Sequence, residues 1–125
     1  MPSYRFGDVV YAPLGYADDA TVADDRPAVV ISGNEFNNAR SDVILMEITT
    51  RLHQARRFGA FEVIDWVKSG LKGQSVIKPL VFSVSQADIL QTWGHLDPAT
   101  EKILRQTIPM IFGFRVSSAA SKPPS

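Results

Sequence analysis

Apolar residues in this chain fall into short runs with the two-residue repeat of β-strands, broken by glycine, proline and aspartate. Gly7-Asp8-Val9-Val10-Tyr11-Ala12-Pro13-Leu14 reads as a strand opened by Gly-Asp turn chemistry and stopped by Pro13. Ala28 to Ser32 is apolar on both faces, as a central strand would be. Pro27, directly before it, has no backbone N–H and suits the first residue of a strand. Asp42 to Thr50 is a third strand, with Val43, Leu45, Glu47 and Thr49 on one face and Ile44, Met46, Ile48 and Thr50 on the other. Further strands are expected at Phe61 to Ile64, at Ser75 to Lys78, at Leu80 to Val84 and at Leu90 to Leu96. Pro79, between the second and third of these, implies an edge or a bulge.

The helical signals are sparser. Asp65 and Gly70 bracket one helical turn as N-cap and left-handed C-terminal residue. A longer helix opens at Asp97 with Pro98 at its first position, and Leu96, Ile103, Leu104 and Ile108 form its buried stripe. Pro109 should end or kink it near Thr107. Gly15 to Asp25 reads as a long loop carrying four aspartates, Gly33 to Ser41 as a polar, turn-rich link, and Ser85 to Ile89 as a turn. These elements predict a mainly β fold with a C-terminal helix, a small and strongly bent barrel. One domain over residues 1–116 is expected, followed by a flexible tail over 117–125 rich in serine, alanine, lysine and proline. Trp66 and Trp93 are expected in the packing, and Phe112 and Phe114 over the barrel.

Composition narrows the chemistry. The chain has 125 residues, 45% of them hydrophobic, which suits one globular domain. It has no cysteine, so disulfides, thiolate metal sites and cysteine nucleophiles are excluded. No apolar stretch approaches the roughly 20 residues of a membrane helix, and no signal-peptide core opens the chain, so a cytoplasmic protein is expected. No His/Asp/Glu set has metal-ligand spacing and no glycine-rich phosphate loop occurs, so neither metal nor cofactor is expected.

The formal net charge is zero, which counts against a nonspecific nucleic-acid binder but allows a local basic groove. Arg51-Leu52-His53-Gln54-Ala55-Arg56-Arg57 is the one concentrated run of positive charge. Glu47 is the oddity of the third strand: a carboxylate among apolar neighbours belongs at a barrel mouth or beside a cation, and Arg26 is the candidate. Arg26 itself stands where the loop meets the strand, firmly held yet facing solvent, with Thr49 its expected partner.

Taken in order, Gly7-Asp8-Val9-Val10, Arg26-Pro27-Ala28-Val29-Val30-Ile31, Glu47-Ile48-Thr49-Thr50, Gly70-Leu71-Lys72 leading into Ser75-Val76-Ile77, and Gly94-His95-Leu96-Asp97-Pro98 resemble the MazF/PemK toxins. The resemblance runs from about Tyr4 to Phe114. It implies an SH3-like barrel, a homodimer and metal-independent endoribonuclease activity on single-stranded RNA. The 2′-hydroxyl would attack the adjacent phosphate to leave a 2′,3′-cyclic phosphate. It also implies a cognate antitoxin as partner, and operator DNA bound only through the antitoxin complex.

The family's active arginine and threonine fall on Arg26 and Thr49, and the loop from Gly15 to Asp25 matches the one that covers substrate. Arg26 would stabilise charge and Thr49 would donate a hydrogen bond. Glu47, with His53 as alternative, would serve as base. Thr50, Arg51, His53, Arg56, Arg57 and Lys78 are the candidate substrate-binding residues. Two departures stand out. Leu80-Val81-Phe82 replaces the Gln-Ile-Arg of many members, and the covering loop is acidic. Both point to the alternative, a non-catalytic or degenerate toxin-fold binding module on the same barrel that acts through a protein partner, as a growth inhibitor or a partner binder.

Overall fold

The structure is a computed structural model that describes residues 3–16 and 19–114. Six strands form one antiparallel sheet in the order β4-β5-β3-β2-β1-β6. They are β1 (Asp8–Tyr16), β2 (Asp19–Val30), β3 (Asp42–Thr49), β4 (Phe61–Glu62), β5 (Val76–Ser85) and β6 (Gln91–His95). A short helix α1 (Asn34–Ala39) links β2 to β3, and α2 (Pro98–Ile111) closes the described chain.

Alternation along the strands gives each face of the sheet its own core. On one face Val9, Val29, Met46, Ile48 and Ile77 pack with Val63, Leu71, Leu96 and with Leu104 of α2. On the other, Val10, Ala12 and Leu14 of β1 meet Ala28, Val30, Val43 and Leu45. Phe82 and Val84 of β5 join that second cluster beside their β3 partners Leu45 and Val43, and β5 also approaches β1 although two strands separate them. The sheet is therefore curled on itself into a half-barrel, the predicted mainly β architecture with one C-terminal helix.

Pro13 and Pro27 lie inside strands and not at their ends. Pro13 pairs with Asp25, and Pro27 with Tyr11. The β1–β6 ladder stops at Tyr11↔Gln91, and the β2–β3 ladder reaches no further than Ala28↔Glu47. Each proline thus sits just beyond the point where its strand acquires a second neighbour, and the missing N–H forfeits no ladder bond there. By the same extension most of the expected loop from Gly15 to Asp25 is strand, with a register shift after Gly15; residues 17–18 lie outside the described residues.

The expected turn-rich link after Ser32 contains α1. Its Asn37 is buried, donating from Nδ2 to the carbonyls of Tyr4 and Ser32 at 3.0 Å each and accepting from the Ser32 hydroxyl. The two strands expected around Pro79 are one strand, β5. Helix α2 passes through Pro109, since only its last turn remains beyond that residue and Phe112 N–H still reaches the Ile108 carbonyl at 3.3 Å. Phe112 and Phe114 are exposed and do not cover the barrel; the tail 117–125 lies outside the described residues.

The start of α2 is closely satisfied by hydrogen bonds. Asp97 is buried, and its carboxylate accepts from Thr100 N–H at 3.0 Å, the Thr100 hydroxyl at 2.6 Å, the Ser69 hydroxyl at 3.1 Å and Asp65 N–H at 3.3 Å. Burial alone would raise its pKa, but these donors outweigh burial and hold it below the usual 3.8. Gly70 ends the preceding turn at φ +85°, and its backbone lies so close to Trp93 that a Cβ would collide with the Trp93 carbonyl. Asp97→Ala is expected to cost about 1–2 kcal/mol in urea unfolding at neutral pH. Because the folded pKa is depressed, this contribution is complete above 3.8. It fades as pH falls through the lower folded value, so the gap between parent and variant should close in strong acid.

Candidate functional site

Arg26, Glu47 and Thr49 share the sheet face of Ala28, Val30 and Leu45, because each lies an even number of residues away along β2 or β3. Ala28 pairs with Glu47 at the end of the β2–β3 ladder, and Arg26 and Thr49 each lie two residues past that last pair. Glu47 is fully buried. Its Oε2 lies 3.6 Å from Arg26 Nη1 and 3.6 Å from Lys78 Nζ. The sequence expectation of a carboxylate paired with Arg26 holds, and Lys78 joins the pair.

Lys78 reaches Glu47 because of an irregularity in β5. Met46 pairs with Val81 and Ile48 with Ile77, so Lys78, Pro79 and Leu80 stand opposite Glu47 alone. Such a bulge bends the strand and re-aims its side chains, and Pro79 fits there because no ladder bond is required of it. The anchoring carboxylate is sealed off while the cations remain partly wetted, at 37% side-chain exposure for Arg26 and 18% for Lys78. Arg26 Nη2 also contacts Asp24 Oδ2 at 3.3 Å, but Asp24 is 56% exposed. That outer pair is weak by comparison.

Thr49 is buried, and its hydroxyl oxygen accepts from Arg51 N–H at 3.2 Å, which leaves the hydroxyl hydrogen free to donate elsewhere. Thr50, Arg51, His53, Arg56 and Arg57 are all exposed, on or beside a 3₁₀ turn over Leu52–Arg56. Of these, Arg57 joins Lys78 in lining a hollow of about 350 Å³, with Gln54, Phe58, Ala60, Pro79 and Leu80. Gln54 and Phe58 are the residues the sequence did not single out. An aromatic following a basic run, 74% exposed in the structure, was the available signal.

Other candidates serve structure. His95 is held between Asp8 Oδ1 at 2.8 Å and Glu101 Oε1 at 2.9 Å and so ties β1, β6 and α2 together. Burial raises the Glu101 pKa, but His95 and Arg105 outweigh it and keep the carboxyl below its ordinary range. Trp93 stacks on Tyr11 at 4.9 Å between ring centres, with Lys72 Nζ 4.7 Å from the Trp93 ring. Among the described residues no group of three His, Cys, Asp or Glu is placed to hold a metal ion.

The arrangement thus sets two cations on a buried carboxylate, with a threonine hydroxyl on the same face and a basic, partly apolar hollow lined by Lys78. A profile described as PemK-like, MazF-like toxin of type II toxin-antitoxin system matches residues 5–112. No curated protein matches the chain in sequence. Among solved structures, an endoribonuclease in complex with its cognate antitoxin from a mycobacterial species is 19% identical. Its TM-score is 0.68, over 93% of this chain and 99% of that one. MazF in a MazE–MazF structure from Deinococcus radiodurans is 14% identical, with TM-score 0.68 over 91% of this chain and 100% of that one. The Mycobacterium tuberculosis toxin MazF-mt6 is 18% identical, with TM-score 0.65 over 86% and 99%. These likenesses establish the shared fold.

Proposed function

Because the chain belongs to the PemK-like, MazF-like toxin family of type II toxin–antitoxin systems, we propose that it is an endoribonuclease whose reaction centre is Arg26, Lys78 and Thr49. The observation that carries this reading is the pair of cations held at 3.6 Å on one buried carboxylate, beside an open basic hollow. The substrate is single-stranded RNA. A 2′-oxygen bonds to the adjacent phosphorus while the 5′-oxygen leaves, giving a 2′,3′-cyclic phosphate and a 5′-hydroxyl. Negative charge grows on the non-bridging oxygens, and the Arg26 guanidinium can contact two of them at once. Lys78 adds a point charge and Thr49 a hydroxyl donor.

Glu47 faces two cations and is shut away from water, so in this mechanism it fixes their spacing. His53, exposed on the adjoining turn, is then the candidate general base. Thr50, Arg51 and Arg56 guide the RNA backbone, and Arg57 meets the RNA from the hollow it lines with Lys78. The same reading includes a homodimer, a cytoplasmic location, a cognate antitoxin that competes for the groove, and operator DNA bound only through the antitoxin complex.

The test is incubation of purified protein with a mixed single-stranded RNA pool in EDTA. Cyclic-phosphate ends are expected without added metal. Intact RNA beside a folded protein would instead favour the binding module acting on a protein partner.

A further inference from the structure

Guanine presents two adjacent acceptors, O6 and N7, on one edge, and the chemistry lining the hollow beside Lys78 is matched to such an edge. Arg57 and Lys78 contribute donors only, and Gln54 adds an amide. Phe58, 74% exposed, has little part in the core and offers a ring on which a base can stack. Pro79 and Leu80 complete an apolar wall. The volume, about 350 Å³, admits one nucleotide and is small for a longer segment.

Two features make this hollow a built one. Gly59, at φ +86°, packs its backbone so closely that a Cβ would lie 3.3 Å from Pro79 Cγ and 3.2 Å from Ile111 Cγ1. That contact fixes the segment carrying Arg57 and Phe58 against the β5 bulge and the end of α2. The bulge also places Lys78 on both sides of the boundary, touching Glu47 and lining the hollow. A base seated here therefore neighbours the phosphate held by Arg26 and Lys78.

We propose that this hollow is a nucleobase subsite selecting guanine through Arg57, with Phe58 as its stacking surface, next to the scissile phosphate; it rests on the endoribonuclease reading of the site. Adenine turns one of the two acceptors into a donor, cytosine offers a donor, and uracil offers a single acceptor, so each leaves part of the Arg57 fork unmatched.

The test uses the full chain, isotope-labelled, titrated with the 5′-monophosphates of guanosine, adenosine, cytidine and uridine and followed by NMR. GMP is expected to bind about tenfold tighter than the others, with the largest shifts at Gln54, Arg57 and Phe58. Arg57→Ala should erase the preference, and so should Arg57→Lys, which keeps the charge and loses the fork. Phe58→Ala should weaken all four by a similar factor, about tenfold. Both positions are exposed, so their variants should fold. Equal binding of all four nucleotides, or a preference that survives Arg57→Lys, overturns the proposal. So does RNA cleavage without guanine bias, which would leave the nuclease reading standing. A GMP preference in a protein that cuts no RNA would support the subsite and remove the nuclease reading.

Discussion

Arg26→Ala protein is expected to leave single-stranded RNA essentially uncut, with the cleavage rate down by about 10²–10³. Two terms combine in that figure. The guanidinium is the only group of the centre able to meet two phosphoryl oxygens with a planar fork, and it is already oriented by Glu47 before substrate arrives. Arg26→Lys should recover only part of the rate, since an ammonium restores charge without the fork. The measurement is single-turnover cleavage of a fixed RNA at saturating protein, with circular dichroism and a melting curve to show that the variant is folded. A variant that cuts at the parental rate would remove Arg26 from the reaction.

Glu47→Ala should be the most destabilising change at the site, by about 3–5 kcal/mol. The carboxylate is fully buried while both cations retain contact with water. Deleting it empties a core position and leaves two positive charges facing each other. Arg26, the better exposed of the two, can swing outward and relieve part of that repulsion, which sets the loss nearer the lower end. Glu47→Gln keeps the volume and removes the charge, so its loss should be smaller. Adding Lys78→Met to Glu47→Gln should recover part of it, a coupling that urea unfolding of the four proteins in the cycle would measure. Simple additivity would show that Lys78 and Glu47 do not interact in solution.

The strand framework was legible because short β-branched and apolar runs bounded by glycine, proline and aspartate mark strands, even where both faces are buried as in β2 and β3. Glu47 announced its own partner, since an acid at the end of Val43-Ile44-Leu45-Met46 has few physical solutions. The prolines misled, because a residue type says that a donor is missing but not whether a neighbour was there to miss it. Pro13 and Pro27 sit where a second ladder has stopped, and Pro109 where the helix has one turn left. The helix α1 was hidden because its anchor is a buried asparagine and not an apolar stripe. Lys78 was visible as a charge, but its approach to Glu47 depends on how many residues of β5 face one residue of β3, which is decided by pairing. The hollow beside it joins Gln54, Arg57 and Phe58 to Pro79 and Leu80, and nothing local in either segment reveals the other.

The seam between β2 and β3 is short, running from Ala28↔Glu47 to Val30↔Leu45 with one further bond from Ile31 N–H to the Ile44 carbonyl. The β1–β2 and β3–β5 ladders on either side are far longer. Arg26 belongs to the first strand pair, while Glu47, Thr49 and Lys78 belong to the second. The proposed reaction centre therefore spans a joint, and any breathing of the molecule that opens this joint pulls the guanidinium away from its companions. A binder that held the two strand pairs about 1 Å apart would be expected to slow the reaction about 10²-fold without touching Arg26, Thr49 or Lys78.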